Sequence, residues 1–323
     1  MSDALTAPRL RFLDRIQPHA GLLVVCGLLL ALLALGIYLD ERFSRLSNLL
    51  NIAEQSTDLL LVSLGQTLTI LAGGIDLSVG SAISLIACLA SGLINGNPAR
   101  VLPVVAGLLA LATAIGLVNA LLVIALRVHP LIVTLGSGAV LQGATLLYAN
   151  GPIGKVPPSY SMIAYERIAG LPFGTVFCIA LYALVWFALR YLPLGRYVYA
   201  VGGDANSAGL VGLPRSSVIL AVYGMSTLCA GLTGLYLVAR FGVGQPYAGV
   251  TYTLASITPV IVGGTLLSGG RGGVVGTFVG ALLIGLLNNI LNFMDVSKHI
   301  QLVTQAVIII AAVSVYVERR RTL

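Results

Sequence analysis

Charge is the scarcest property of this chain. Charged residues fill 9% of its 323 positions against 58% hydrophobic ones, whereas a soluble domain carries about 25% charged residues; an ordinary soluble fold is excluded. Lysine occurs twice, as Lys155 and Lys298, and neither completes a GxxxxGK[ST] phosphate loop, so the chain is not expected to hydrolyse ATP. Cysteine is limited to Cys26, Cys88, Cys178 and Cys229. They lie far apart inside apolar runs, which suits neither a disulfide framework nor a metal cluster. The three histidines, His19, His129 and His299, are equally scattered and read as interfacial groups rather than ligands. No metal and no cofactor is expected. A membrane enzyme is disfavoured too, because acids, histidines and nucleophiles nowhere concentrate at one depth.

What the chain has in abundance is apolar sequence in long runs. A helix needs about 20 apolar residues to cross the hydrocarbon, and that ruler gives spans near 21–39, 55–73, 79–95, 101–126, 131–149, 173–190, 216–240, 252–267, 274–293 and 300–317. The expected fold class is an all-α, polytopic transmembrane helical bundle of about ten spans with a possible internal repeat. One integral membrane domain at 21–317 would lie between an N-terminal segment, 1–20, and a C-terminal tail, 318–323. The run 21–39 is too long for a signal-peptide core and is followed by no A-x-A cleavage pattern, so it should remain as the first span.

The net charge of +7 comes mostly from arginines at the ends of apolar runs. That dispersal argues for topology and against nucleic acid. Arg9, Arg11 and Arg15 precede the first span, and Glu318, Arg319, Arg320 and Arg321 follow the last, so the positive-inside rule predicts both termini in the cytoplasm. The segment 191–215, with Arg196 and Arg215, then falls inside as well, and its Gly-rich, charged stretch 194–214 reads as a loop between two apolar runs. The segment 150–172, with Pro152, Pro157, Pro158 and Pro172, falls outside, either as a contact surface for an extracytoplasmic partner or as a linker. The runs at 79–95 and 252–267 are short and interrupted by Gly or Pro, so either could be broken or re-entrant.

Several polar residues interrupt the apolar pattern. Asp76 stands in GGIDLSVG between the second and third runs, where an unpaired carboxylate would be costly. It reads either as a bracing or lining group of a pathway together with Ser78, or as the N-cap of the following helix. Asn288 and Asn292 share a helix face, with Asn289 beside them. Gln66, Thr67, Asn119 and Thr134 are similar uncharged groups on other helices, suited to exchanging hydrogen bonds with hydroxyls or to bonding helix to helix. Glu54 and Asp58 stand four apart at the start of the second run and read either as a proton site or as charges hydrated near an interface, and the scarcity of other intramembrane acids disfavours ion-driven transport. In SGGRGGVVGTFVG, the spacing of Gly272, Gly276 and Gly280 predicts a bare ridge for close helix packing, with Arg271 at the helix start. GGIDLSVG at 73–80 and GGTLLSGG at 263–270 echo each other, as do Asn119, His129, Val133 and Thr134 with Asn289, His299, Val303 and Thr304. Transporters often arise from duplicated halves.

These stretches, with HPLIVTLG at 129–136, GRYVYAVGGDANSAGLVG at 195–212 and GGTLLSGGRGGVVGTFVGALLIGLLNN at 263–289, together resemble the inner-membrane permease of ribose- or xylose-type monosaccharide ATP-binding-cassette importers over nearly the whole chain. The resemblance implies a multi-pass bacterial inner-membrane protein that works by alternating access. Its implied partners are a separate ABC ATPase subunit, a periplasmic sugar-binding protein and a second permease subunit, identical or not. It also implies that the cytoplasmic stretch carrying Gly195, Arg196, Gly202, Gly203, Asp204, Ala208 and Gly212 couples to the ATPase. The candidate translocation pathway comprises Gln66, Asp76, Ser78, Asn119, Thr134, Asn288 and Asn292. This chain departs from the family pattern at Asp204, where Asn is usual, at Gly209 and Val211, and at Gln142–Gly143 in place of Arg-Gly. A branched-chain amino-acid ABC permease and an ion-coupled secondary carrier are the alternatives.

Overall fold

The structure, a computed structural model, describes residues 20–297, 299–301, 303–304 and 306–308. The basic residues at both ends, and most of the run expected at 300–317, lie outside the described residues. Within them the chain is built from helices: α1 (Ala20–Leu39), α2 (Leu46–Gln55), α3 (Thr57–Leu71), α4 (Val79–Ile94), α5 (Val101–Leu126), α6 (Pro130–Tyr148), α7 (Pro158–Tyr165), α8 (Phe173–Tyr191), α9 (Pro193–Gly203), α10 (Ala205–Leu210), α11 (Arg215–Phe241), α12 (Tyr252–Ala255), α13 (Ile257–Val262) and α14 (Val274–Phe293). A single two-stranded hairpin, β1 (Arg167–Ile168) with β2 (Leu171–Pro172), accompanies them.

Six helices, α1, α5, α6, α8, α11 and α14, are long and apolar enough to cross a membrane. Four shorter apolar helical segments, Thr57–Leu71, Val79–Ile94, Tyr252–Val262 and His299–Ile308, fall on the other four expected runs. The boundaries differ in instructive places. The second run starts earlier than expected. Ser56 N donates to Ile52 O at 3.0 Å and Leu60 N to Ser56 O at 2.8 Å, so the helical ladder passes from α2 into α3 and the rod extends from Leu46. The mixed sequence SNLLNIAEQ hides this, since it is not apolar throughout. The run at 252–267 stops at Val262, because Gly263 and Gly264 close the helix there.

Helices α3 and α11 form the centre. Every residue of α3 is buried, and α11 packs along α5, α3 and α4. By contrast α1 and α6 keep most of their apolar residues exposed, the pattern of helices facing lipid. Close approach rests on small residues, as expected where hydrophobicity does not drive helices together. A methyl at Gly280 would strike Pro259 O, and one at Gly276 would strike Gly263 O, so α14 and α13 touch backbone to backbone. Gly272 sits before the start of α14 with φ 125°, so it belongs to the connecting turn rather than to the helical ridge.

The connections gather at two ends. At one, Gly270 N donates to Leu71 O at 3.0 Å, Tyr199 hydroxyl to Gly272 O at 3.0 Å, and the turn 127–129 borders the same space as α9 and α10. At the other, Gly96 N donates to Lys155 O at 2.8 Å and Ile153 pairs with Gly244. The segment 150–172 thus lies at the end opposite α9–α10, and it carries α7 and the hairpin.

Candidate functional site

The polar centre of the bundle is the break between α3 and α4. Helix α3 ends with Gly73 in the left-handed region, φ 83°. There Gly73 N donates to Ile70 O and Gly74 N to Thr69 O, both at 2.9 Å, the closure that satisfies the last carbonyls of a helix. The chain then stays non-helical to Ser78. Asp76 accepts from Ser78 N at 3.0 Å and from the Ser78 hydroxyl at 2.6 Å on Oδ1, which holds the turn that enters α4. Its Oδ2 accepts from the Ser226 hydroxyl of α11 at 2.9 Å. One carboxylate therefore ties the turn before α4 to α11.

Two further helices close on the same break. Asn119 Nδ2 of α5 donates to Ser78 Oγ at 2.8 Å. Thr134 Oγ1 of α6 accepts from Leu77 N at 3.1 Å and lies within reach of Ile75 O and Pro130 O. Asp76, Ser78, Asn119 and Thr134, singled out from far-apart stretches of sequence, are thus one buried cluster. Ser226 and Tyr223 complete it, with the Tyr223 ring against Gly74. Sequence reasoning missed both, because a serine and a tyrosine in an apolar helix carry no signal of their own. No cation joins the cluster; the two ion pairs among the described residues are Asp40–Arg42 and Asp58–Arg240.

A cavity of about 780 Å³ opens beneath the break, lined by Ala72–Gly74, the end of α5 with Arg127 and His129, the α9–α10 junction, and the start of α11 from Arg215 to Tyr223. Asp204 and Ser268 stand at its margin. The stretch expected as a Gly-rich loop is here two helices, started by Pro193 and joined at Asp204. This residue has extended backbone (φ −155°). Its carboxylate accepts from Ser207 N at 3.2 Å and Ser207 Oγ at 2.5 Å, so it caps α10.

Gly195 fits against Leu189 O, and Gly202 against Leu71 O at the end of α3. Arg196 and Gly203 are exposed, Ala208 is buried, and Gly212 turns the chain with φ 76°. Two apolar residues crown the tip, Leu210 at 88% and Val211 at 75% exposure. Burial raises the Tyr199 phenol above its ordinary pKa, which keeps its proton available for the Gly272 carbonyl.

The remaining candidates lie elsewhere. Asn288, half-buried, and Asn292, exposed, are near the far end of α14. Asn292 Oδ1 accepts from Gln301 Nε2 at 2.7 Å, while the buried neighbour Asn289 exchanges hydrogen bonds with Asn48 at 3.3 Å. Thr67 and Thr277 share a hydroxyl bond of 2.8 Å. Asp58, expected near hydrating water, is buried among protein groups: it accepts from the Tyr252 hydroxyl at 2.6 Å and lies 3.5 Å from Arg240. Gln66 is fully buried, and neither polar atom of its side chain has a partner. Among the described residues no three His, Cys, Asp or Glu side chains gather as a metal set would require.

Comparison with known proteins places this arrangement. The family model described as branched-chain amino acid transport system / permease component matches residues 48–313. The ribose import permease protein of Escherichia coli strain K12 is 38% identical over 292 residues, covering 89% of this chain and 91% of that protein. The ribose import permease protein of Bacillus subtilis strain 168 is 36% identical, with 93% and 92% covered. The D-allose transport system permease protein of Escherichia coli strain K12 is 34% identical, with 85% and 84% covered. No solved structure matches the chain.

Proposed function

The chain belongs to this permease family, and on that premise we propose that it is the membrane-spanning subunit of an ATP-driven importer for a monosaccharide such as ribose. The observation that carries the reading is identity of 34–38% with permeases named for ribose and D-allose over at least 85% of this chain. The family's printed description mentions branched-chain amino acids, but those relatives favour a sugar.

The reading makes the chain a multi-pass protein of the bacterial inner membrane. The six long and four shorter apolar helical segments support ten crossings, with residues 21–317 in one membrane domain, 1–20 and 318–323 cytoplasmic, and α9–α10 on the cytoplasmic side. ATP hydrolysis belongs to a separate ABC ATPase, which receives the exposed tip at Leu210 and Val211 together with Arg196. Gly202 rests on the last turn of α3, so displacement of the tip is transmitted to the helix break at Gly73–Ser78. The cluster of Asp76, Ser78, Asn119 and Thr134 keeps that break intact while the helices tilt around it. A periplasmic sugar-binding protein delivers substrate at the opposite end, where 150–172 and the turn at Gly244 meet. A second permease subunit, identical or homologous, completes the pathway.

The test is reconstitution in lipid vesicles with the ATPase and the loaded binding protein. ATP-dependent uptake of D-ribose, D-allose or D-xylose is expected, and the isolated chain should hydrolyse no ATP. ATP-driven uptake of leucine instead would make the family's amino-acid branch the correct one, and uptake by the isolated chain on an ion gradient would overturn ATP-driven import.

A further inference from the structure

The cavity beneath the helix break collects positive charge from separate stretches of the chain. Arg127 and His129 come from the turn between α5 and α6, and Arg215 from the start of α11. The positive-inside rule places arginines on this side of the membrane, but it does not place them around one hollow. Asp204 is the acid on the same wall, and its carboxylate is held by Ser207 of α10. The ion pairs among the described residues are Asp40–Arg42 and Asp58–Arg240, so neither guanidinium at the cavity is neutralised by a carboxylate there.

The backbone around these side chains favours an anion as well. Arg127 ends α5 in the left-handed region, φ 55° and ψ 26°, where glycine or asparagine is usual; a long charged side chain gains nothing locally from that conformation. His129 Nδ1 accepts from Leu131 N at 3.3 Å, so the neutral ring carries its proton on Nε2 and can donate it outward. Helix α11, 27 residues long, starts at the cavity without a side-chain cap, and α6 starts there with Pro130. The positive end of each helix dipole adds to the charge of the arginines.

We propose that this cavity binds a phosphate ester, with the phosphate held between Arg127, Arg215 and His129. A guanidinium fork pairs two N–H groups with two phosphate oxygens, and donors arriving from separate segments suit an anion that offers several oxygens at once. The volume, about 780 Å³, leaves room for the alcohol part of the ester beside the Ser216 and Tyr223 side chains and the Gly73 and Gly202 backbone. Two sources present this chemistry at the cytoplasmic face: a phosphorylated sugar in solution, and the headgroup of an anionic phospholipid in the inner leaflet. A bound phosphate joins the α5–α6 turn to the start of α11 across the α9–α10 junction. Under the import reading, on which the regulatory consequence rests, it opposes the shift of α9 against α3 and slows uptake.

Binding is tested without transport, on the full chain in detergent and in the absence of nucleotide, by thermal unfolding followed through Trp186. D-ribose 5-phosphate is titrated against D-ribose as the neutral control, and micelles containing phosphatidylglycerol are compared with micelles containing phosphatidylcholine. The unfolding temperature should rise with an anionic ester and not with its control; a response to the sugar phosphate assigns the site to a soluble ester, and a response to phosphatidylglycerol alone assigns it to a lipid headgroup. Arg127 and Arg215 are exposed, so both can be replaced without disturbing the core. Arg127→Gln or Arg215→Gln should each lower the apparent affinity about 10-fold, the scale of one hydrogen bond to a charged group, and Arg127→Lys by less. In the reconstituted complex the responding ester should lower ATP-dependent uptake several-fold and leave the order of preference among D-ribose, D-allose and D-xylose unchanged. No response to either ester, or an undiminished response when Arg127→Gln and Arg215→Gln are combined, would overturn the inference. Binding that leaves uptake unchanged would overturn its regulatory part, whereas a wild-type complex that imports none of the three sugars would overturn the import reading and leave the binding result standing.

Discussion

Gly202→Ala isolates the contact between the cytoplasmic helices and the membrane bundle. A methyl group there would overlap the Leu71 carbonyl oxygen and lie 2.8 Å from Gly270 N. Those two atoms already share a hydrogen bond of 3.0 Å. Both are backbone atoms at the end of packed elements, so neither can swing aside as a flexible side chain would, and α9 must lift from the end of α3. Overpacking of this kind costs about 1–3 kcal/mol, and loss of the Gly270–Leu71 bond adds about 0.5–1.5 kcal/mol. Gly203→Ala is the matched control: no atom lies within 4 Å of a methyl at that position, and the gain in helix propensity is the same for both. Thermal unfolding in detergent, followed through the chain's one tryptophan, Trp186, should place Gly203→Ala at or above wild type and Gly202→Ala clearly below. In the reconstituted complex Gly202→Ala should also hydrolyse more ATP per sugar imported. If the two variants unfold together and couple equally, the route from α9 to α3 is wrong.

Three further outcomes follow from the geometry. Asp76→Ala strands three donors from Ser78 and Ser226 and should abolish assembly as read by size-exclusion chromatography, whereas Ser226→Ala, which removes one of them, should cost about 1 kcal/mol in thermal unfolding. Thr67→Val and Thr277→Val should show coupling of about 0.5–1 kcal/mol in a double-mutant cycle; additive effects would mean that their hydroxyl contact contributes nothing. Ser159→Cys should be labelled by an impermeant reagent from outside intact cells, and labelling only from the cytoplasmic side would reverse the assigned topology.

The helices were legible because lipid imposes a length, and because Gly and Pro punctuate the runs at Gly73, Pro130, Pro193 and Gly242. Legibility failed where composition and conformation diverge. The segment from Leu46 to Gln55 is too polar to register as a span, yet its ladder continues into α3. Glycine density suggested a loop at 194–214, but Gly195 and Gly202 sit within a helix because each packs against a carbonyl. The Asp76 cluster was legible residue by residue and not as a cluster: Asn119 and Thr134 were candidates for their polarity, while the Ser226 contact spans 150 residues of sequence. The environment of Asp58 was misjudged for the same reason. Tyr252 and Arg240 reach it from 194 and 182 residues away, and nothing local in the sequence announces either.

The echo between GGIDLSVG and GGTLLSGG acquires physical content from how the two helices end. Gly73 N to Ile70 O and Gly74 N to Thr69 O are matched by Gly264 N to Ile261 O at 2.9 Å and Thr265 N to Val260 O at 3.0 Å, with φ 83° at Gly73 and 89° at Gly264. The same closure also ends α10 at Gly212 and α14 at Asp295, so by itself it reflects only the need to satisfy terminal carbonyls. What separates the first two is contact. Gly269 lies against Gly73, and both Gly269 and Gly270 lie against the Gly202–Gly203 end of α9. Side chains at these positions would push the three backbones apart, which gives the glycines a packing requirement beyond their turn conformations. The end of α3 and the turn that follows α13 therefore share one support, and a movement of α9 acts on both.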